Sequence, residues 1–231
     1  KLVEVGRHIN IELLTLTEVD SVSGEEGNFE VQLIQHPRYV DMDKCIACGA
    51  CSEKCPKKVA NAYDSGLSKR KAVYVQYAQA VPLKYAIDAQ QCIYLVRGKC
   101  KACEKFCHTG AIAFDEESKE MSLNVGAIVL ATGSQAFDPR LNDTFGYGNS
   151  DNIVTSLEFE RMVNAAGPTE GKIVLRDFET QPESVAIVHC VGSRDEHYHK
   201  YCSKVCCMYS LKFAHLVHER LPNATVYNCY I

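Results

Sequence analysis

The feature that most constrains this chain is a run of four closely spaced cysteines. Cys45, Cys48, Cys51 and Cys55, followed by Pro56, have the spacing C-x2-C-x2-C-x3-C-P. In this bacterial iron-sulfur run the first three thiolates hold one 4Fe-4S cluster, and the fourth reaches a second cluster. Zinc is the alternative, but structural zinc sites use separated cysteine pairs. The run therefore predicts a module built around two clusters.

A second set of four cysteines follows with the same order of ligands. Its spacing is C-x7-C-x2-C-x3-C, so the first interval is longer, and His108 stands where proline is expected. In two-cluster ferredoxins the fourth cysteine of each run completes the other cluster. We therefore predict one 4Fe-4S cluster on Cys45, Cys48, Cys51 and Cys107. We predict the other cluster on Cys92, Cys100, Cys103 and Cys55.

A third group without standard spacing consists of Cys190, Cys202, Cys206 and Cys207. Cys190 ends a predicted strand, and the other three lie around the start of a predicted helix, whose amide dipoles stabilise thiolates. We predict a third cluster here, with ordinary core thiols as the alternative. Cys229 is expected to be buried without partners. His197 and His199 lie nearby and are expected to be exposed loop residues rather than ligands.

Composition narrows the class of protein further. Hydrophobic residues make up 46% of the chain and charged residues 23%, as in ordinary globular proteins. The net charge of -4 and the short basic clusters give no excess of positive charge for binding the phosphates of nucleic acid. No apolar run is long enough for a membrane span, and the first residues lack a signal-peptide core, so we expect a cytoplasmic protein. The 13 cysteines then indicate metal binding or redox work rather than disulfides.

The first half of the chain alternates between sheet and cysteine-rich sequence. Strands are predicted over residues 11–19 and 28–35, joined as a hairpin. From residue 41 to about residue 114, closely spaced cysteines replace helical periodicity, which indicates an inserted domain. A strand is predicted over residues 121–125. The continuous apolar run over residues 126–133 then predicts a buried parallel strand closed by a turn.

The second half predicts an α/β arrangement. A helix capped by Ser156 is expected to end near residue 166, and it is followed by a buried strand over residues 184–191. A helix over residues 205–220 and a strand over residues 224–231 complete a strand-helix-strand unit. The chain starts without Met and ends in an apolar, strand-like run, so we expect a piece of a longer polypeptide. A complete chain with an edge strand at its end is the alternative.

Together these residues resemble the A subunit of heterodisulfide reductase, an iron-sulfur flavoprotein family that includes the related A subunit of quinone-interacting oxidoreductases. The resemblance covers nearly the whole chain. Besides the double cysteine motif, it rests on residues 127–133, 156–160, 190–195, 201–203 and 206–208.

The resemblance implies an α/β fold, with a partial thioredoxin-reductase-like flavin domain and an inserted two-cluster ferredoxin-like α+β domain. Residues 1–40 would begin the flavin domain and residues 41–115 would form the inserted domain. Residues 116–231 would continue the flavin domain and start a second nucleotide-binding-like subdomain.

The resemblance also implies an oxidoreductase subunit that relays single electrons between FAD and other redox subunits of a complex, in some cases with flavin-based electron bifurcation. It places a further cluster on the third cysteine group. Ala131, Thr132 and Gly133 are expected to face the FAD, with an ordinary tight turn as the alternative for Gly133. Lys212 is expected to act on the flavin as a catalytic residue, with a solvated lysine as the alternative.

One feature of flavin domains is missing from this sequence, the Gly-x-Gly-x-x-Gly phosphate loop. Two competing interpretations therefore stand beside the relay subunit. One is a non-catalytic electron-carrier module of the ferredoxin type, and the other is a zinc-stabilised interaction domain.

Overall fold

The computed structural model describes residues 1–230, which form two compact units. The first unit contains residues 1–63 and 69–132, and the second contains residues 64–68 and the chain from Gly133 onward. The helices and strands are, in chain order, α1 (Leu2–Val5), β1 (Thr17–Glu25), β2 (Asn28–Gln35), α2 (Ala50–Glu53), β3 (Lys58–Ala60), β4 (Lys69–Lys71), β5 (Val73–Tyr74), β6 (Ala86–Ile87), α3 (Ile93–Arg97), α4 (Ala102–Lys105), β7 (Lys119–Val125), α5 (Ser156–Val163), β8 (Ser184–Val188), α6 (Cys206–Arg220) and β9 (Thr225–Cys229).

A three-stranded antiparallel sheet in the order β1-β2-β7 organises the first unit. The predicted hairpin and the strand over residues 28–35 are confirmed. The first strand begins at Thr17 rather than at residue 11, because Thr17 pairs with Gln35, the last residue of β2. The turn between the strands is short, and Gly27 supplies its left-handed backbone with a φ of 84°.

The cysteine-rich segment, residues 36–118, lies between β2 and β7, which are hydrogen-bonded neighbours. We call this segment the cysteine module. Its two ends are fastened together, because the Glu116 carboxylate accepts hydrogen bonds from the backbone N–H groups of Arg38 (3.1 Å) and Tyr39 (2.7 Å). Val40 and Ile112 form an antiparallel bridge beside this contact. The cysteine module is therefore inserted between two strands that are neighbours in one sheet.

The core of the cysteine module is made largely of thiols. Of the ten buried residues in this core, five are cysteines, and the others are small or medium aliphatic side chains. The buried cysteines are Cys45, Cys51, Cys55, Cys92 and Cys103. Thiols occupy the places that large apolar side chains fill in an ordinary core, so the packing depends on what those thiols hold.

The second unit contains the predicted strand-helix-strand arrangement. β8 and β9 pair in parallel and are connected through α6, which confirms this prediction over the described residues; Ile231 lies outside them. Val185 and Val226 pack against a buried cluster that includes Val217. Ile187 is also partly buried, but the remaining positions of both strands are exposed, so the expectation that residues 184–191 form a buried strand was wrong. Cys229 is likewise exposed rather than buried.

Helix α5 begins one residue away from its predicted cap. Thr155, rather than Ser156, is the N-cap, because its hydroxyl accepts the Glu158 N–H at 3.2 Å. The Glu158 carboxylate accepts the Thr155 N–H at 2.6 Å, which completes a capping box. Ser156 is therefore the first residue inside the helix.

The predicted buried strand over residues 126–133 is not formed. β7 ends at Val125, opposite Phe29 of β2, and the chain beyond it is irregular and exposed. Val129 is 88% exposed and Leu130 is 83% exposed. An apolar run becomes a strand only where a neighbour offers ladder partners, and none within residues 1–230 pairs with it.

Among the helices of residues 1–230, none is long and apolar enough to cross a membrane.

Candidate metal centres

The two ferredoxin-like cysteine runs surround two separate cavities in the cysteine module. The first cavity has a volume of about 310 Å³. Tyr85, Ala111 and Ile112 contribute to its walls. Its cysteines are Cys45, Cys48, Cys51 and Cys107. The structure thus brings the last cysteine of the second run to the first three of the first run.

The second cavity has a volume of about 300 Å³ and mirrors this exchange. Tyr94 and Phe114 line it, with their ring centroids 4.4 Å apart. Its cysteines are Cys92, Cys100, Cys103 and Cys55. These two sets of four are the sets that the ferredoxin rule predicts from the spacing.

The loops that carry the first cysteines of each set have left-handed backbone. Ala47 and Gly49 have φ values of 57° and 87° in the first loop, and Cys100 and Lys101 have values of 112° and 55° in the second. Helices α2 and α4 start immediately after these positions. Left-handed residues next to right-handed ones turn successive N–H groups to one side, an arrangement that recurs around iron-sulfur sites.

Burial is distributed alike in the two sets. Each set has one exposed cysteine, Cys48 in the first and Cys100 in the second. Cys107 is partly buried, and the remaining five thiols are buried. Each site therefore has one edge near solvent and an otherwise enclosed ring of sulfur.

The electrostatics of the thiols reflect this enclosure. Burial, with smaller contributions from the other thiols of its set, raises the pKa of Cys51 to about 11. Burial first, and neighbouring thiols next, raise the pKa of Cys103 to about 12. Burial also acts on Cys107, but hydrogen bonds from the Ala111 N–H (3.2 Å to Sγ) and with Thr109 outweigh it and lower its pKa. Buried thiols with raised pKa values are protonated at neutral pH until a metal displaces the proton.

The donor set fits an iron-sulfur cluster better than a single ion. Within residues 1–230, no three Cys, His, Asp or Glu side chains converge on a position for one metal ion. Zinc requires four ligands at about 2.0–2.3 Å from one centre. A 4Fe-4S cluster makes a different demand, because each thiolate binds a separate iron of a larger cage. Neither cavity is lined by a carboxylate or an imidazole.

The third cysteine group is also brought together, within the second unit. Cys206 and Cys207 are the first two residues of α6, and Cys190 follows β8. Partial desolvation and the neighbouring thiols Cys206, Cys190 and Cys202 raise the pKa of Cys207, so each of these three thiols lies within electrostatic range of Cys207. His197 and His199 are exposed.

The residues predicted to contact a flavin are exposed. Ala131, Thr132 and Gly133 lie in the irregular segment after β7, and Gly133 has a φ of 77° with open space where a Cβ would lie. The buried strand that should present them is not formed, so these residues do not build the strand edge that a dinucleotide needs. Lys212 is exposed on α6, after Cys207.

Two lysines that the sequence analysis did not predict as site residues donate hydrogen bonds at the cysteine sites. The Lys84 ammonium donates a hydrogen bond to the Cys45 carbonyl at 2.6 Å, and the Lys71 ammonium donates one to the Cys55 carbonyl. Lys84 has no sequence signal of this role. Lys71 belongs to a short basic cluster, which on its own indicates a solvated face.

Known proteins share this cysteine arrangement. A family model described as "4Fe-4S binding domain" matches residues 38–59, which contain the first cysteine run. The chain is 47% identical to the iron-sulfur A subunit of CoB--CoM heterodisulfide reductase from Methanocaldococcus jannaschii, with 100% of this chain and 35% of the relative covered.

Two further relatives carry similar names. The A subunit of H(2):CoB-CoM heterodisulfide,ferredoxin reductase from Methanothermobacter thermautotrophicus is 46% identical, covering 98% of this chain and 34% of the relative. The A subunit of ferredoxin:CoB-CoM heterodisulfide reductase from Methanosarcina mazei is 37% identical, covering 100% of this chain and 29% of the relative. The chain thus spans about a third of the length of these relatives. By this similarity it belongs to the family of heterodisulfide reductase A subunits, with a 4Fe-4S binding domain in its first half.

Proposed function

We propose that this chain relays single electrons through iron-sulfur clusters, as part of an oxidoreductase subunit in a heterodisulfide-reductase-type complex. One observation carries the proposal: each of two cavities is lined by three cysteines of one run and the fourth cysteine of the other. A 4Fe-4S cluster held by four thiolates supplies one-electron transfer. The two sets of cysteines would hold two such groups side by side.

The two sites are close enough for transfer between them. Cys51 of the first site and Cys55 of the second lie one turn apart, and the Cys55 N–H donates to the Ser52 carbonyl at 3.1 Å. Cys51 also contributes to the raised pKa of Cys103, which lies in the second site. The exposed Cys48 and Cys100 mark the edges at which redox partners would approach.

The third cysteine group is proposed to hold a further cluster. Three thiols lie within electrostatic range of Cys207, and Cys206 and Cys207 form the start of a 15-residue helix, which supports this assignment. The helix dipole favours thiolates at this end of α6, whereas desolvation and the neighbouring thiols raise the pKa of Cys207 in the absence of metal. Core thiols alone would not explain why Cys202 and Cys207 are exposed.

FAD binding and bifurcation are proposed for the intact protein on the resemblance to the family. Ala131, Thr132 and Gly133 would contact the FAD, and Lys212 would tune it. Replacing Lys212 by Ala should then shift the flavin potential, and an unchanged potential would remove that assignment. The proposed partners are other redox subunits in the cytoplasm.

A non-catalytic electron carrier is the second candidate, because the described residues do not form a flavin edge. Anaerobic iron, sulfide and zinc analysis with flavin extraction from the same sample separates the candidates. About twelve irons with equal sulfide are expected for three 4Fe-4S clusters, and about eight would leave the third group as free thiols. Bound flavin would support the relay function, and protein free of flavin would support the electron carrier. Zinc without sulfide would overturn both electron-transfer proposals.

A further inference from the structure

At each of the two cysteine sites, a lysine from a distant part of the chain donates a hydrogen bond to a cysteine carbonyl. Lys57 and Lys101 also line the second cavity, and Lys101 is paired with Glu104. Lys84 precedes β6 and donates to the carbonyl of Cys45, a cysteine of the first site. Lys71 ends β4 and donates to the carbonyl of Cys55, a cysteine of the second site. Within residues 1–230, neither ammonium group donates a hydrogen bond to a cysteine of the other site.

These ammonium groups carry a positive charge that nearby carboxylates do not neutralise. Lys84 and Lys71 are both partly buried, and within residues 1–230 neither forms an ion pair with a carboxylate. Four covalent bonds separate a cysteine carbonyl oxygen from its sulfur, so each ammonium lies within about 8 Å of the ligand sulfur. That distance is shorter than the screening length of about 10 Å at 0.1 M salt.

Two other lysines provide a natural contrast. Lys44 and Lys54 immediately precede Cys45 and Cys55 in the sequence. Both are exposed, and each is paired with a carboxylate, Lys44 with Asp41 at 3.0 Å and Lys54 with Glu53 at 3.1 Å. Their charges are therefore compensated and solvated, although they are nearer in sequence.

We propose that Lys84 and Lys71 each set the reduction potential of one cluster, Lys84 at the first site and Lys71 at the second. The inference rests on the proposed function, since it requires clusters at both sites. Reduction by one electron from a reduced iron-sulfur protein oxidises that donor and adds one negative charge inside the ring of thiolates. An unpaired ammonium beside the ring stabilises this added charge and raises the potential.

The test is an EPR-monitored redox titration of the protein purified anaerobically with its clusters. Lys84→Gln and Lys71→Gln keep a hydrogen-bond donor but remove the charge, whereas Lys84→Arg and Lys71→Arg keep the charge. Lys44→Gln and Lys54→Gln are the matched controls. Iron and sulfide are measured in every sample, so that loss of a cluster is distinguished from a shift in its potential.

Each Gln variant is expected to lower one midpoint potential, and the two variants should lower different ones. The expected change in the equilibrium constant for reduction is about tenfold, or roughly 59 mV for one electron. The Arg variants and both controls should stay near the wild type. Full cluster content with unmoved potentials, or equal shifts in the controls, would overturn the inference alone, whereas wild-type protein without 4Fe-4S clusters would overturn the proposed function.

Discussion

Replacing Cys55 by Ala tests the exchange of ligands between the two cysteine runs. Cys55 belongs to the first run in sequence but lines the second cavity. The variant should therefore lose the cluster of the second site, about four irons and four sulfides, and keep the cluster next to it in sequence. Cys229→Ala is the matched control, because Cys229 is exposed and lies outside the three groups.

The loss should also destabilise the module. Because the free energy of binding a metal group to its thiolates is part of the free energy of folding, loss of the cluster should remove a stabilisation of several kcal/mol from the module. Small domains are stable by only about 5–15 kcal/mol. We therefore expect the structure around the second site to loosen and the urea midpoint of the module to fall.

Cysteine alkylation under native anaerobic conditions, followed by peptide mass spectrometry, identifies the site that is lost. In the Cys55→Ala variant, iodoacetamide should label the remaining cysteines of the second site, Cys92, Cys100 and Cys103. The three first-site cysteines of the first run should stay protected by their iron. Labelling of Cys45, Cys48 and Cys51 with protection of the second run would refute the exchange.

Three further results are expected. In iron-free protein at pH 7, Cys107, whose pKa is lowered, should be alkylated before Cys51 and Cys103, whose pKa values are about 11 and 12. Because the thiolate fraction rises about tenfold per pH unit below the pKa, the two slow thiols should gain reactivity up to pH 9, and equal pH-independent rates would contradict the assigned order. Arg70→Met leaves the partly buried Asp88 carboxylate without its ion-pair partner, which lies 2.7 Å away. It should lower the free energy of unfolding of the cluster-loaded protein by about 1–3 kcal/mol in a urea titration. An unchanged free energy of unfolding would show that the pair is solvated. Thr155→Ala removes the cap of α5 and should cost about 1 kcal/mol in the same assay, with Thr155→Ser as the variant that restores stability.

Cysteine spacing predicted which four thiols line each cavity, because the order of the cysteines in a ferredoxin-type run is a local property of the sequence. Cys107 and Cys55 could be placed in the opposite sites from their spacing alone, since the ferredoxin rule fixes that exchange. The long first interval of the second run did not disturb the set that lines the second cavity. The lysines could not be found this way, because Lys84 meets Cys45 only through tertiary folding.

The strand predictions succeeded where the folded chain supplies a partner strand, whether near or distant in the sequence. Residues 28–35 are paired on both sides, by β1 and by β7. The run over residues 126–133 has the same apolar character but no partner in the part of the chain described here, and hydrophobicity alone cannot supply one. At α5, Thr155 and Ser156 are equally good caps by residue type, and the spacing to Glu158 decides between them.

The insertion of the cysteine module between two paired strands links metal delivery to the maturation of the chain. β2 and β7 can meet only when the ends of residues 36–118 come together, and an unfolded segment of that length opposes closure by an entropy that grows as about (3/2)RT ln n. A module folded around iron holds its ends together in advance, at Glu116. A chain starved of iron would leave an edge of β2 open to aggregation and proteolysis. We therefore expect the abundance of this protein in cells to fall when iron is scarce, because chains without iron expose the edge of β2 to proteolysis.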